Sequence, residues 1–352
     1  MQNHSEKSII KWVMNMKILM IGGTGKISAA VSKLISEKKG AELYLLNRGQ
    51  KQVDYIPKDH QLVMDITDEE KVSTILRGMK FDVVADFVAF KKEDVERDFR
   101  LFHGNTKQYI FISSASVYKK PFSDCRVTEG NSLANPYWEY ARDKIACENY
   151  LMERYREDGF PVTIIRPSHT YNEETIPVGV HGEFGSWQVA KRMLEGKQVI
   201  IHGDGTSLWT LTHSSDFAKG FVGLMGNIRA IGEAVQITSD ESLTWNQIYE
   251  VLADALGVEL HAYHIASDFL ASCSGYDLTG TLLGDKAHSL VFDNTKLKRL
   301  VPDFVATKRF DEGIRESVEY ILNHPELQTE DTEFDKWCDM MIFTLEQSKK
   351  LI

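Results

Sequence analysis

The sequence is short of several things, and each shortage closes a route. It carries four cysteines among 352 residues: Cys125, Cys147, Cys273 and Cys338. They form no CxxC and no metal-ligand spacing, which excludes a disulfide scaffold and a zinc ribbon. Free thiols in a reducing cytoplasm are the expectation. The eleven histidines make no HExxH or similar pair, so no metal is expected. Lysine and arginine total 41 against 51 acidic residues, a net charge of −10. No basic cluster offsets that balance. It argues against nucleic acid, because phosphate binding needs a local basic excess. No apolar run reaches the ~18 residues that span a bilayer, so no membrane is expected. The opening MQNHSEKSIIKWVMN lacks the continuous apolar segment of a signal peptide. Residues 1–15 read as a loose extension, with Met16 a second candidate start. There is no internal repeat and no low-complexity segment.

What is present suits a soluble chain with a sizeable core: 43% of residues are apolar and 26% charged. The stretch MKILMIGGTGKIS, Met16 to Ser28, is the most informative. Ile18 to Ile21 is apolar without alternation, as in a strand buried on both faces. Glycines follow, and then Ala30, Val31, Leu34 and Ile35 recur at helical spacing. The order strand, Gly-rich turn, helix makes the glycines meaningful. It lets backbone N–H groups approach a pyrophosphate at a helix N-terminus. Gly22, Thr24, Gly25, Lys26 and Ile27 are the expected contacts. Ser28 stands where the GxxGxxG pattern has its last glycine; being small, it is expected to preserve binding.

The rest of the first half alternates strand and helix. Strands are expected at Ala41–Asn47, near Asp65, at Phe81–Phe90, and ending near Ser113 and Arg166. Helices are expected at Glu69–Met79, Lys92–Phe102 and Tyr137–Tyr155. Such repetition implies an α/β fold of Rossmann type, a doubly wound parallel sheet with ligands at the carboxyl ends of its strands. After Tyr171 the pattern loosens into a smaller, interleaved α/β portion. Residues 16–172 with 210–240 are assigned to the NAD(P)-binding domain. Residues 173–209 with 241–328 are assigned to a substrate domain, and 329–352 to a helical tail. ASCSGYDLTGTLLGD, ending at Asp285, has loop chemistry.

Tyr140 and Lys144 lie four apart on the third of those helices and so share one face. An ammonium there is expected to depress the phenol pKa from ~10 and let it act as acid or base. The strand before that helix ends in Ser113-Ser114-Ala115-Ser116-Val117-Tyr118, which offers hydroxyls for the same substrate oxygen. The stretches GGTGKIS, MDITD, FISSASVY, YARDK, IIRPSHTY and IHGDG…LTHSSDFA occur in this order over roughly residues 16 to 325. With them the chain resembles the extended short-chain dehydrogenases/reductases of the NAD-dependent epimerase/dehydratase group. The resemblance implies Tyr140 as acid/base, Lys144 as its pKa partner and ribose contact, and Ser114 as hydroxyl donor. It also implies a homodimer through helices near Lys92–Phe102 and Tyr137–Tyr155.

The remaining assignments follow the strand ends. Asn47 and Arg48 end the second strand with no acid beside them. Arg48 therefore favours NADP over NAD, since an arginine there accommodates a 2′-phosphate. Asp65 and Ile66 are expected to flank the adenine. Phe87, Val88 and Ala89 are expected on the nicotinamide side, and Ser113 and Pro167 are further expected cofactor contacts. Ser114, Ser116, His169 and Trp209 are the candidate substrate contacts. His213 is expected to pack before a helix capped by Ser214 or Ser215. Two departures bear on substrate. Relatives acting on sugar nucleotides carry an arginine shortly after GDG, where this chain has Trp209, and a second one where AHSLVFDNTKLK has none, although Lys286 is close. The resulting expectation is an NAD(P)-dependent oxidoreductase or epimerase acting on a sugar or sugar-nucleotide hydroxyl. The alternatives are an NADPH-dependent ketone reductase and a non-catalytic nucleotide-binding protein. A 4,6-dehydratase is not expected. Such enzymes place an Asp-Glu pair where this chain has Ala115 and Ser116, unless Glu173 or Glu183 enters the cleft.

Overall fold

The structure, a computed structural model, describes residues 15–351; the extension assigned to residues 1–15 lies, but for Asn15, outside them. We number the strands of the main sheet β1 to β7 and the helices of seven residues or more α1 to α9. The strands are β1 Lys17–Ile21, β2 Glu42–Asn47, β3 Gln61–Val63, β4 Val83–Asp86, β5 Tyr109–Ile112, β6 Val162–Pro167 and β7 Ala234–Ile237. All neighbours pair in parallel, in the order β7-β6-β5-β4-β1-β2-β3.

The unalternating apolar run of β1 now has its reason. Ile18 and Met20 join one core layer with Val31 and Ile35 of α1 (Ser28–Ser36) and Phe217 and Phe221 of α6 (Ser214–Leu224). Leu19 and Ile21 face the other layer. There they meet Val95 and Phe102 of α3 (Lys92–Phe102), and Cys147 and Leu151 of α4 (Glu139–Asp158). A strand covered on both faces cannot alternate. α2 (Glu69–Ile75) is shorter than its periodicity implied, and α4 runs on until Gly159 takes a left-handed φ of 69°.

The winding reverses direction at β1. β2 lies on one side of it and β4 on the other. The carboxyl ends of β1 and β4 therefore part around a crevice, the place where such sheets bind ligands. A second core gathers Trp245 and Tyr249 of α7 (Trp245–Leu256), Ala190 of α5 (Trp187–Leu194), Ile314 of α8 (Phe310–Asn323) and Phe334 of α9 (Thr332–Lys349). In α9, Asp335 and Asp339 grip the Arg192 guanidinium at 2.6 and 2.7 Å, so the carboxyl-terminal helix is held to α5. Among the described residues no helix is long and apolar enough to cross a membrane.

Two local expectations are corrected. His213, not Ser214 or Ser215, is the N-cap of α6, with its Nδ1 accepting from the Ser215 amide at 3.3 Å. The loop expected up to Asp285 is partly helical: Ser267–Ser272, Thr279–Thr281 and a π-helical turn, Leu282–Lys286. Its glycines serve close packing. A Cβ on Gly280 would stand 2.4 Å from Cδ1 of Trp138, and one on Gly284 3.1 Å from the Trp138 Cβ.

Candidate active site

The crevice beside β1 opens into a groove of about 540 Å³. Its floor is the Gly-rich loop. Gly22 takes φ of 75°, and a Cβ there would lie 2.4 Å from Cγ1 of Val88, so loop and wall close together only without a side chain. Ser28 does more than stay small. Its hydroxyl donates to the Gly22 carbonyl at 2.6 Å and accepts from the Gly25 amide at 2.9 Å. The loop is thereby tied to the first turn of α1.

Gly22, Thr24, Gly25 and Lys26 line this groove, as do Asn47, Arg48, Asp65, Ile66 and Val88. Lys26, Arg48 and Lys51 bring cations to it, and a fourth, Arg97, is bonded to Asp94 and Asp98. The Asp65 carboxylate is engaged elsewhere. Oδ1 accepts from the Thr67 amide at 2.9 Å and its hydroxyl at 2.8 Å, and these bonds hold the pKa below the usual range. Glu174 reaches the rim and pairs with Lys51 at 3.3 Å. An anion-seeking loop at a helix N-terminus, an apolar wall and flanking cations suit a dinucleotide.

Beyond the groove lies a pocket of about 290 Å³. The two adjoin where the Phe90 ring, on the groove wall, stands 6.4 Å from the Tyr140 ring. Ser114, Ser116, Tyr140, Pro167, His169 and Trp209 all line the pocket. Ser114 Oγ accepts from the Ser116 amide at 3.1 Å and the Ser116 hydroxyl at 2.9 Å. With both acceptor sites filled, its own proton is free to point into the pocket. Ser116 is 2% exposed, and its hydroxyl gives its proton to Ser114 and so orients that residue.

Tyr140 does not behave as its spacing from Lys144 implied. Burial, the largest effect, pushes its pKa up, and the Ser114 hydroxyl beside it works the other way. Lys144 is directed elsewhere. Its ammonium donates to the Ala89 carbonyl at 2.6 Å and the Ile112 carbonyl at 2.8 Å, bridging the ends of β4 and β5. It stands 5.8 Å from the Tyr140 ring centroid. Burial lowers its own pKa to about 8. His169 Nδ1 accepts from the Trp209 indole N–H at 3.3 Å. Burial, with Lys286 and His181 nearby, lowers the His169 pKa to about 3. The ring is neutral at pH 7, so its proton sits on Nε2 as a donor.

Of the expected cofactor contacts, Tyr140 and Pro167 line the pocket and not the groove, Lys144 lines neither, and four more have side chains turned away from the groove. Ser113 donates to Glu148 Oε1 at 2.5 Å, inside the buried Arg166–Glu148 pair. Phe87 turns to Phe221, 5.2 Å between ring centroids. Ala89 is 1% exposed and presents its carbonyl to Lys144. Ile27 packs against the α1 side of the core. In each case strand or loop geometry sends the side chain into a core. Sequence reading passed over Trp138, Asp285, Glu174 and Lys51. Trp138 lay two residues before Tyr140 and was findable. Asp285 was not, because it reaches the pocket only through the Gly280–Gly284 packing.

The profile of the NAD dependent epimerase/dehydratase family matches residues 18–238. The chain is similar to the 2′-dehydrokanamycin reductase of Streptomyces kanamyceticus, 23% identical over 300 residues, which cover 82% of this chain and 80% of that protein. It is similar to the chloroplast stem-loop binding protein of 41 kDa b of Arabidopsis thaliana, 27% identical over 254 residues, 68% of this chain and 63% of that protein. Among solved structures, the Thermus thermophilus UDP-glucose 4-epimerase complex with NAD aligns with a TM-score of 0.65 at 21% identity. That alignment covers 88% of this chain and 100% of the other, a likeness of fold.

Proposed function

The chain belongs to the NAD dependent epimerase/dehydratase family, and from that premise we propose that it is an NAD(P)-dependent oxidoreductase acting at a hydroxyl-bearing carbon of a sugar-like substrate. The observation that carries this reading is the meeting of groove and pocket at Phe90 and Tyr140. The nicotinamide cofactor supplies the hydride chemistry when bound. The chain supplies the rest. Tyr140 holds the proton that passes to or from the substrate oxygen. Ser114 donates a hydrogen bond to the same oxygen. Lys144 braces the ends of β4 and β5 and puts a positive charge behind Tyr140. A phenol kept neutral by burial is the form that donates a proton, which suits the reductive direction best.

Lys26, Arg48 and Lys51 around the groove, with Asp65 tied to Thr67, favour NADP over NAD. Arg48→Ala is expected to weaken NADP(H) more than NAD(H). Loss of a charge-assisted bond to phosphate costs ~1.5–3 kcal/mol, or about tenfold or more in selectivity. Fluorescence titration of both cofactors checks this; equal losses would refute a role in reading the 2′-phosphate.

The substrate is a sugar nucleotide or a glycoside without one. Trp209, held beside Trp245 at 5.5 Å, favours the second, since no arginine takes its place to grip a diphosphate. The net charge of −10 speaks against a nucleic-acid ligand. A 4,6-dehydratase remains unexpected. Glu173 and Glu183 do not line the pocket, and among the described residues Asp285 is the one carboxylate that does. A single carboxyl serves as acid or base, whereas dehydration needs both. Incubation of dTDP-glucose in heavy water is expected to yield no 4-keto-6-deoxy product carrying deuterium at C5.

The overall reading is tested by denaturing the purified protein and identifying released nucleotide. UDP-glucose and kanamycin are then offered with NAD⁺ and NADP⁺ while nicotinamide absorbance is followed. Turnover of either sugar supports it. A protein that neither carries nor binds a nicotinamide nucleotide overturns it. We read the oligomer as a dimer through the outer faces of α3 and α4, which light scattering checks.

A further inference from the structure

The far wall of the pocket is the π-helical turn Leu282–Lys286, which the reaction outlined above does not use. Wide turns of this kind inside helices often accompany functional sites. Here the turn is pinned from both sides. Asn135 Nδ2 donates to the Gly284 carbonyl at 2.7 Å and to the Ser116 carbonyl at 2.9 Å, joining the turn to the Ser114 loop. The Trp245 indole donates to the Lys286 carbonyl at 3.1 Å. Two adjacent, oppositely charged side chains, Asp285 and Lys286, thereby line the pocket with Ser114 and Tyr140.

Both have hydrogen-bonding capacity that the protein leaves free. Among the described residues neither the Asp285 carboxylate nor the Lys286 ammonium has a hydrogen-bond partner, although Lys286 is only 8% exposed. Buried charges are expected to be paired. Asp285 has a cation behind it: Lys120 Nζ lies 3.8 Å from Oδ1, with its side chain fully buried and no hydrogen bond of its own. That charge offsets part of the cost of keeping a carboxylate here. Lys286 has no carboxylate within ion-pair reach among the described residues. Asp285 and Lys286 share the pocket lining with Tyr140 and His169.

We propose that this turn reads the substrate, with Asp285 accepting from a hydroxyl or amino group on the carbon next to the reacting one, and Lys286 donating to another oxygen of the same substrate. The inference rests on the oxidoreductase reading and narrows it. The substrate is a sugar ring with neighbouring donors, not a simple ketone. A site built to bond a hydroxyl rejects the analogue that lacks it, because its own polar group is left unpaired.

The test pairs Asp285→Asn with a substrate change. The probes are UDP-glucose against its 3-deoxy analogue, or kanamycin against its 3′-deoxy analogue, whichever sugar the wild type turns over. The wild type is expected to lose about tenfold or more in kcat/KM on the deoxy compound. Asp285→Asn is expected to be about tenfold worse on the parent sugar and to separate the two by less than about threefold. Lys286→Met is expected to raise KM about tenfold. Unchanged cofactor affinity verifies the fold of each variant. Wild-type discrimination by Asp285→Asn, or a Lys286→Met KM within about threefold of wild type, overturns the proposal. Tyr140→Phe separates this failure from that of the underlying reading. If that variant is inactive while Asp285→Asn still discriminates, only the substrate-reading role falls. If Tyr140→Phe is fully active, or no sugar is turned over, both fall.

Discussion

Tyr140→Phe is expected to lower turnover by ~10²–10⁴-fold, the range for a positioned acid–base group, while leaving cofactor affinity nearly unchanged. The phenol oxygen is the only atom removed. The ring keeps its place beside Phe90 at 6.4 Å and Trp138 at 5.0 Å. Groove and pocket therefore keep their shape, and the missing function is the proton. Single-turnover absorbance with bound cofactor measures it. A variant retaining more than about a third of the wild-type rate, well outside that range, would show that another group carries the proton. The pH dependence has a definite sign. Burial raises the pKa of Tyr140, so the proton-bearing form persists through neutrality. Reduction needs that form and falls only as pH rises toward the raised pKa. Oxidation needs the deprotonated form and rises with pH over the same interval.

The second large effect is expected at Lys144. Lys144→Met keeps the bulk of the side chain and removes the ammonium 5.8 Å from the Tyr140 ring. A charge-assisted partner of a buried anion is worth up to ~3 kcal/mol. That corresponds to about two orders of magnitude in the step where Tyr140 carries negative charge. Two carbonyls, of Ala89 and Ile112, also lose their donor, which loosens the strand ends that wall the groove. A fall of ~10²-fold in oxidation with weakened cofactor binding is the expected result. It separates this variant from Tyr140→Phe, whose cofactor binding holds. Oxidation rates within about threefold of wild type would mean that the ammonium only props the strands.

Some of this was legible from the chain alone, for local reasons. The run Ile18–Ile21 announces a strand covered on both faces, because only such a strand dispenses with alternation. The glycines after it announce a turn that admits no side chain, and Gly22 indeed faces Val88 at a distance a Cβ would violate. Tyr140 and Lys144 share a helix face by spacing. Each of these statements depends on neighbours within about one helical turn. The pocket's far wall depends on nothing local. Asp285 is far in sequence from Tyr140 and meets it because Gly280 and Gly284 let a turn press against Trp138. Ser113 and Ser114 are chemically alike, and only the tertiary structure shows that the first gives its proton to the buried Glu148. The tuning of Tyr140 reversed for the same cause. Sequence spacing implied a nearby ammonium, but desolvation depends on everything packed around a group. That total, with its sign, exists only once the tertiary structure has formed.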